Sequence, residues 1–220
     1  MSAALSSYQC RLLLIFADIE EAKSLIRDFA FIQKGTNLFQ CRDSHTSIAM
    51  DMIILNQWGE SGVLEAFQTI EEIETYHACV NIGFAGACSK DLLLHNCYTI
   101  EHISELSKDS PFNVSDNPEL SITPIPSFPT AKLVSAHAPY KHGTHETFQL
   151  IDMEGYTIAR LCSDYHLRCI MLKIASDFTT TNGGDYLNLH KNTLAEELSS
   201  AFASCLHEIV ELAVAATVRT

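Results

Sequence analysis

The sequence predicts an α/β fold, one domain built around a largely parallel sheet. Short apolar runs alternate with amphipathic stretches along most of the chain, as in strand–helix units. The 220 residues fit one large domain, because chains divide only beyond roughly 250 residues. With 47 % hydrophobic and 19 % charged residues, the composition excludes intrinsic disorder.

Residues 11–17 form a short apolar run of the kind buried on both faces of a sheet. Asp18 then caps a helix reaching to about Phe29, with Leu25, Ile26 and Phe29 as its stripe. Residues 47–55 read as a second strand. Gly59-Glu60-Ser61-Gly62 turns into a helix with Val63, Phe67, Ile70 and Ile73 at helical spacing. Residues 78–82 form a third strand, closed by Gly83-Phe84-Ala85-Gly86. Residues 168–175 form another strand, and 192–217 a long final helix opened by the capping box Thr193-x-x-Glu196. Residues 1–10 are expected to be flexible. All six prolines lie between Pro111 and Pro139, so residues 104–130 are expected as an irregular excursion, of the kind that is either functional or disordered.

Fourteen basic against 27 acidic residues give a formal charge of −13. That balance argues against a nucleic-acid polymer or an anionic membrane as partner. The first apolar run, Leu12 to Ala17, is shorter than the ~7–15 residues of a signal core or the ~20 of a membrane span. Eight scattered cysteines without a CxxC pair fit reduced thiols and a cytoplasmic protein. His137, His142 and His145 match no metal-ligand spacing, so neither a metal nor a cofactor is expected. Trp58 and Phe67 read as packing residues.

Three carboxylates stand where α/β folds place active sites, beyond strand ends: Glu20, Glu154 and Asp177. Singly, a Glu at a helix start compensates the helix dipole and an Asp at a strand end caps a helix. Together, with Gly83-x-x-Gly86 at a fourth strand end, they form a candidate site.

The same residues carry a resemblance. Ile151-Asp152-Met153-Glu154-Gly155 resembles the V-E-M-E-(A/G) helix start of the nucleoside phosphorylase/nucleosidase superfamily. Lys173-Ile174-Ala175-Ser176-Asp177 is similar to its R-x-I-S-D strand end, and Asn81-Ile82-Gly83-Phe84-Ala85-Gly86 to its N-T-G-(S/T)-A-G. The turn Ala17-Asp18-Ile19-Glu20-Glu21 resembles that of the 5′-methylthioadenosine/S-adenosylhomocysteine nucleosidases, a group that includes the futalosine hydrolases of menaquinone biosynthesis. The resemblance implies a three-layer α/β/α sandwich with a central mixed, twisted sheet, phosphorylase/hydrolase-like, and a homodimer. It implies a purine nucleoside as small-molecule partner and hydrolysis of its N-ribosidic bond without a cofactor.

The resemblance also distributes roles. Asp177 is the general acid toward purine N7, oriented by Ser176. Glu20 activates water, and Glu154 holds the ribose hydroxyls with Met153 against the sugar. Phe84, Ala85 and Gly86 line the ribose and base, Ala138, Pro139 and Tyr140 the base slot, and Lys173 contacts the acidic turn or the ribose. The turns at 18–21 and 59–62 carry no Arg or Lys, whereas a phosphorylase needs cations around phosphate. Lys173 for Arg, Phe84 for Ser/Thr and Pro139-Tyr140 for Phe-Ile depart from the family pattern. With Asp177, suited to a 6-amino purine, these departures make aminodeoxyfutalosine a candidate substrate beside methylthioadenosine and S-adenosylhomocysteine. A nucleoside phosphorylase and a non-catalytic nucleoside-binding protein are the alternatives.

Overall fold

The computed structural model describes residues 9–43 and 47–217. Eleven strands are described: β1 Cys10–Phe16, β2 Ile32–Gln33, β3 Leu38–Asp43, β4 Ile48–Ile54, β5 Ala78–Ala87, β6 Cys97–Ser107, β7 Ser110–Val114, β8 Leu120–Ser121, β9 Thr130–Ser135, β10 Leu150–Asp152 and β11 Arg168–Phe178. Four α-helices accompany them: α1 Ile19–Asp28, α2 Glu60–Gln68, α3 Gly155–Asp164 and α4 Gly183–Thr217. The expected flexible stretch 1–10 lies outside the described residues up to residue 8, and Cys10 is a fully buried strand residue.

The sheet is mixed, in the order β10-β9-β6-β11-β5-β1-β4-β3-β2. Its centre is parallel: β1 pairs β4 and β5, and β5 pairs β11. Strand β10 pairs parallel to β9 and antiparallel to β5, so five strands close on themselves, while β1, β4, β3 and β2 extend from β5 as an open wing and β7 and β8 pair with β6. Strand β1 shows why apolar runs mark the centre. Leu12, Leu14 and Phe16 enter the core against α1 and α4, while Leu13 and Ile15 enter the core against α2 and α3. A strand with helices on both faces has no solvent side, so the two-residue alternation vanishes from its sequence.

Three expected boundaries move. Strand β5 continues through Gly83–Gly86 instead of ending there, because β11 pairs with it as far as Ala87. The excursion at 104–130 carries the end of β6, a hairpin to β7, and β8. Pro111 is tolerated in β7 because that strand pairs only with β6, leaving its other edge free of ladder bonds. Helix α4 starts at Gly183, before the expected capping box. Residues 183–215 are long and apolar enough to cross a membrane by length and composition. Their stripe Leu194, Leu198, Phe202, Cys205 and Ile209 is nevertheless buried in the core.

Candidate active site

The carboxyl ends of β1, β5 and β11, with the start of α3, surround a cavity of about 360 Å³. Its wall includes Phe84, Ala85, Gly86, Pro139, Tyr140, Met153, Glu154, Ser176 and Asp177, nine of the residues picked out from sequence, with Glu20 at its edge. Two expected residues do not face it. Ala138 is exposed and off the wall. Lys173 lies beneath the floor, 2 % exposed, with Nζ 2.9 Å from Asp152 Oδ2. Lys173 therefore acts on the site through Asp152 and by its charge.

The acidic turn requires a correction. Glu20 points outward: its side chain is 41 % exposed and paired with Lys23 (2.6 Å) and Lys191 (3.5 Å), and the Lys23 hydrogen bond holds its carboxyl below the usual range. Glu21 points inward. The Asp18 carboxylate caps α1 by accepting from Glu20 N, and the next residue turns about 100° onto the buried face. Glu21 Oε1 accepts from Phe84 N (2.9 Å) and Oε2 from Ala17 N (3.2 Å). A Cβ on Gly83 would stand 2.8 Å from Glu21 Oε2, so the β5 glycine makes room for this carboxylate. Burial pushes the Glu21 carboxyl up to about 7, with Lys173 and the Phe84 N–H pulling the other way.

Glu154 precedes α3 but leaves the helix amides alone. Its Oε1 crosses to Gly59 N (2.6 Å), at the start of α2, and Oε2 takes Met153 N (3.3 Å). Burial and the Asp152 charge raise its pKa above the ordinary carboxylate value. Asp152 itself accepts from Ser135 Oγ and Gly155 N as well as Lys173. Burial favours a neutral Lys173 amine, but Asp152 and Glu21 outweigh it and keep the ammonium. One buried cation thus serves three carboxylates, and a proton resides on the cluster near neutrality. Lys173→Met should cost about 3–5 kcal/mol in a urea titration, because it strands buried charge. The loss should grow as pH rises and the carboxyls are forced to ionise.

Asp177 is aimed by a β-bulge. The β5–β11 register slips between Ala175 and Asp177, so Ser176 is the extra residue and the strand bends at the cavity. Ser176 Oγ lies 2.7 Å from Asp177 Oδ1 and 3.2 Å from Ala85 O. Burial raises the Asp177 carboxyl, against the Ser176 hydrogen bond. Gly183 packs so close that a Cβ there would meet Asp177 Oδ2 at 2.3 Å.

The loop at 138–145 forms the opposite wall. It is anchored by Gly143 N to Thr179 O (2.7 Å) and by Thr179 Oγ1 donating to Gly143 O (2.7 Å). The three histidines of that region do not converge on one point: His137 Nε2 donates to Leu106 O, His145 Nε2 donates to Phe112 O, and the His142 ring packs against the Phe112 and Tyr140 rings. Trp58, expected to be a packing residue, is 59 % exposed on the cavity wall, whereas Phe67 is buried.

No protein-family model and no curated protein matches the chain. Solved structures do. An MTAN from Chlamydia trachomatis bound to MTA superposes with a TM-score of 0.79 and 35 % identity, over 90 % of this chain and 100 % of that one. The chain belongs to the 5′-methylthioadenosine/S-adenosylhomocysteine nucleosidase (MTAN) family. The C. trachomatis MTAN bound to adenine agrees equally well, at 36 % identity over 89 % of this chain and 97 % of that one. A Helicobacter pylori MTAN complexed with a substituted pyrrolidine shares the fold at a TM-score of 0.76, with 13 % identity over 91 % of this chain and 99 % of that one. MTAN family members are N-glycosyl hydrolases, and this chain is an enzyme of that class. The MTAN fold places three carboxylates in one cavity, buried Glu21 and Glu154 and half-buried Asp177.

Proposed function

We propose that this enzyme hydrolyses the N9–C1′ bond of a 5′-substituted adenosine, with Glu21, Glu154 and Asp177 as its catalytic carboxylates. The convergence of these three groups on one cavity, all with pKa values raised by burial, carries the reading. Ionised Glu21 takes a proton from water as the water oxygen bonds to C1′. Glu154 accepts hydrogen bonds from the ribose 2′ and 3′ hydroxyls and offsets the positive charge that builds on the sugar. As the C1′–N9 bond breaks, its electron pair goes to the purine and protonated Asp177 supplies N7, so adenine leaves neutral. Lys173 keeps the carboxylate cluster from collecting more protons than the chemistry tolerates.

The 5′ group assigned is the bulky aromatic one of aminodeoxyfutalosine, which would place the enzyme in menaquinone biosynthesis. Three features support it: the acidic Asp177 suits a 6-amino purine, exposed Trp58 offers a face to an aromatic ring, and Lys141 and Lys191 stand on the cavity wall. The enzyme is further proposed to work in the cytoplasm as a homodimer, with Phe112 and Val114 on β7 among the exposed apolar residues that a second copy could cover. The test is a panel of aminodeoxyfutalosine, methylthioadenosine, S-adenosylhomocysteine, futalosine and inosine in phosphate-free buffer, with released base separated by chromatography. Adenine from aminodeoxyfutalosine at the highest kcat/KM is expected. Preference for a thioether nucleoside overturns the 5′ assignment, and strict dependence on phosphate makes the enzyme a phosphorylase. A single protomer by light scattering overturns the dimer.

A further inference from the structure

The first three turns of α4 meet the core through one half-buried apolar side chain, Leu187. The first α4 residue in the hydrophobic core is Leu194, whereas Asp185, Asn188 and Leu189 are exposed. Yet this segment walls the nucleoside cavity with Leu187, Asn188 and Lys191. Its sequence also contains a second helix start, the Thr193-x-x-Glu196 box, and two glycines at its beginning. Beyond that one apolar contact, polar groups from other elements hold residues 183–192 in place.

On one side the holding contacts are Lys191 to Glu20 (3.5 Å) and Lys23 to the Asn192 side chain. On the other side stands His95, from the β5–β6 connection. His95 Nδ1 lies 2.7 Å from Glu197 Oε2, and Nε2 lies 3.1 Å from the Tyr186 hydroxyl. The Tyr186 ring packs on His190 at 4.2 Å, and His190 meets His95 edge-on at 5.4 Å. His95 is itself fixed to the strand that carries Asp177: its N–H donates to Ala175 O (2.9 Å), and Ala175 N donates to Asn96 O (3.0 Å). Because Glu197 accepts only, Nδ1 carries the proton, and Nε2 accepts from the Tyr186 O–H when the ring is neutral.

We infer that His95 is a positioning residue: by bridging Glu197 and Tyr186 it clamps the first turns of α4 over the bound nucleoside and so sets substrate affinity. The inference rests on the nucleosidase reading of the cavity. It requires no change in the chemical step, so its signature is a rise in KM with kcat kept.

The experiment pairs His95→Asn with Tyr186→Phe. Asn tolerates the left-handed backbone at position 95 (φ 66°) but cannot reach both partners. Tyr186→Phe removes one hydroxyl from a half-exposed helix position and leaves the ring stack. Tyr186→Phe should raise KM for the best nucleoside about fivefold, and His95→Asn about tenfold or more, with kcat within about twofold. In both variants the amides of 183–192 should exchange hydrogen faster than in wild type while the core amides do not. Unchanged KM and unchanged exchange in Tyr186→Phe overturn the inference, even if His95→Asn fails to fold. A fall in kcat at constant KM also overturns it. If the wild type releases no base, the nucleosidase reading fails, while exchange over 183–192 still reports whether the clamp exists.

Discussion

Glu21→Gln lowers adenine release by about three orders of magnitude, whereas Glu20→Gln, one residue away, changes it by less than about threefold. The difference follows from geometry. Glu20 is a half-exposed member of a lysine cluster, and its loss rearranges surface charge. Glu21 is 7 % exposed, held by two backbone N–H groups, and is the carboxylate able to lose and gain a proton near neutrality. Gln keeps the shape and an acceptor but cannot take a proton from water. The sign of the pH dependence follows too. The base form of Glu21 is needed, so kcat/KM should climb as pH rises through about 7. Stopped assays of released adenine across pH 5–9 check both statements.

Asp177→Asn should reduce turnover by about 10²–10⁴-fold, the range for loss of a general acid, while adenine still binds. Asn keeps a donor that reaches purine N7 but supplies no proton to a leaving base. Burial raises the pKa of Asp177, so its proton is held more tightly than that of an ordinary aspartic acid, and the macroscopic values of the profile belong to the coupled set. Calorimetric titration with adenine separates the two effects. Retained binding with lost turnover is expected, and full turnover in Asp177→Asn excludes Asp177 as the proton donor.

The choice between Glu20 and Glu21 shows how far sequence alone reaches. The turn at 17–21 was legible as acidic and as a helix start, and Asp18 was legible as its cap. The stripe Leu25, Ile26 and Phe29 was legible as well. Counting back four residues from Leu25 lands on Glu21, so the signal for the inward carboxylate was present in the helical period. Glu154 and Asp177 were legible because each sits in a short motif. The bulge at Ser176 was not, because it depends on pairing with β5, far away in sequence. The glycines of β5 read as a turn because the reason for them lies on other elements: the Glu21 carboxylate against Gly83 and Thr179 Cγ2 against Gly86. Similarly, the first turns of α4 touch His95 and Glu20, partners far away in sequence that no local propensity encodes.

The substitution of Lys for the family's Arg at position 173 has a local consequence. A guanidinium forks between two carboxylates; an ammonium is a point charge, and Lys173 makes its contact with Asp152. Glu21 then feels the cation by charge alone, which leaves its carboxyl near 7 despite full burial.

The most direct test of the central assignment is base release in ¹⁸O-labelled water without phosphate, comparing wild type with Glu21→Gln and reading both products by mass spectrometry. The wild type is predicted to give adenine and a sugar carrying one ¹⁸O at C1′, with turnover in Glu21→Gln lower by about three orders of magnitude. Adenine release that needs phosphate and yields a sugar 1-phosphate, or wild-type turnover in Glu21→Gln, would contradict it.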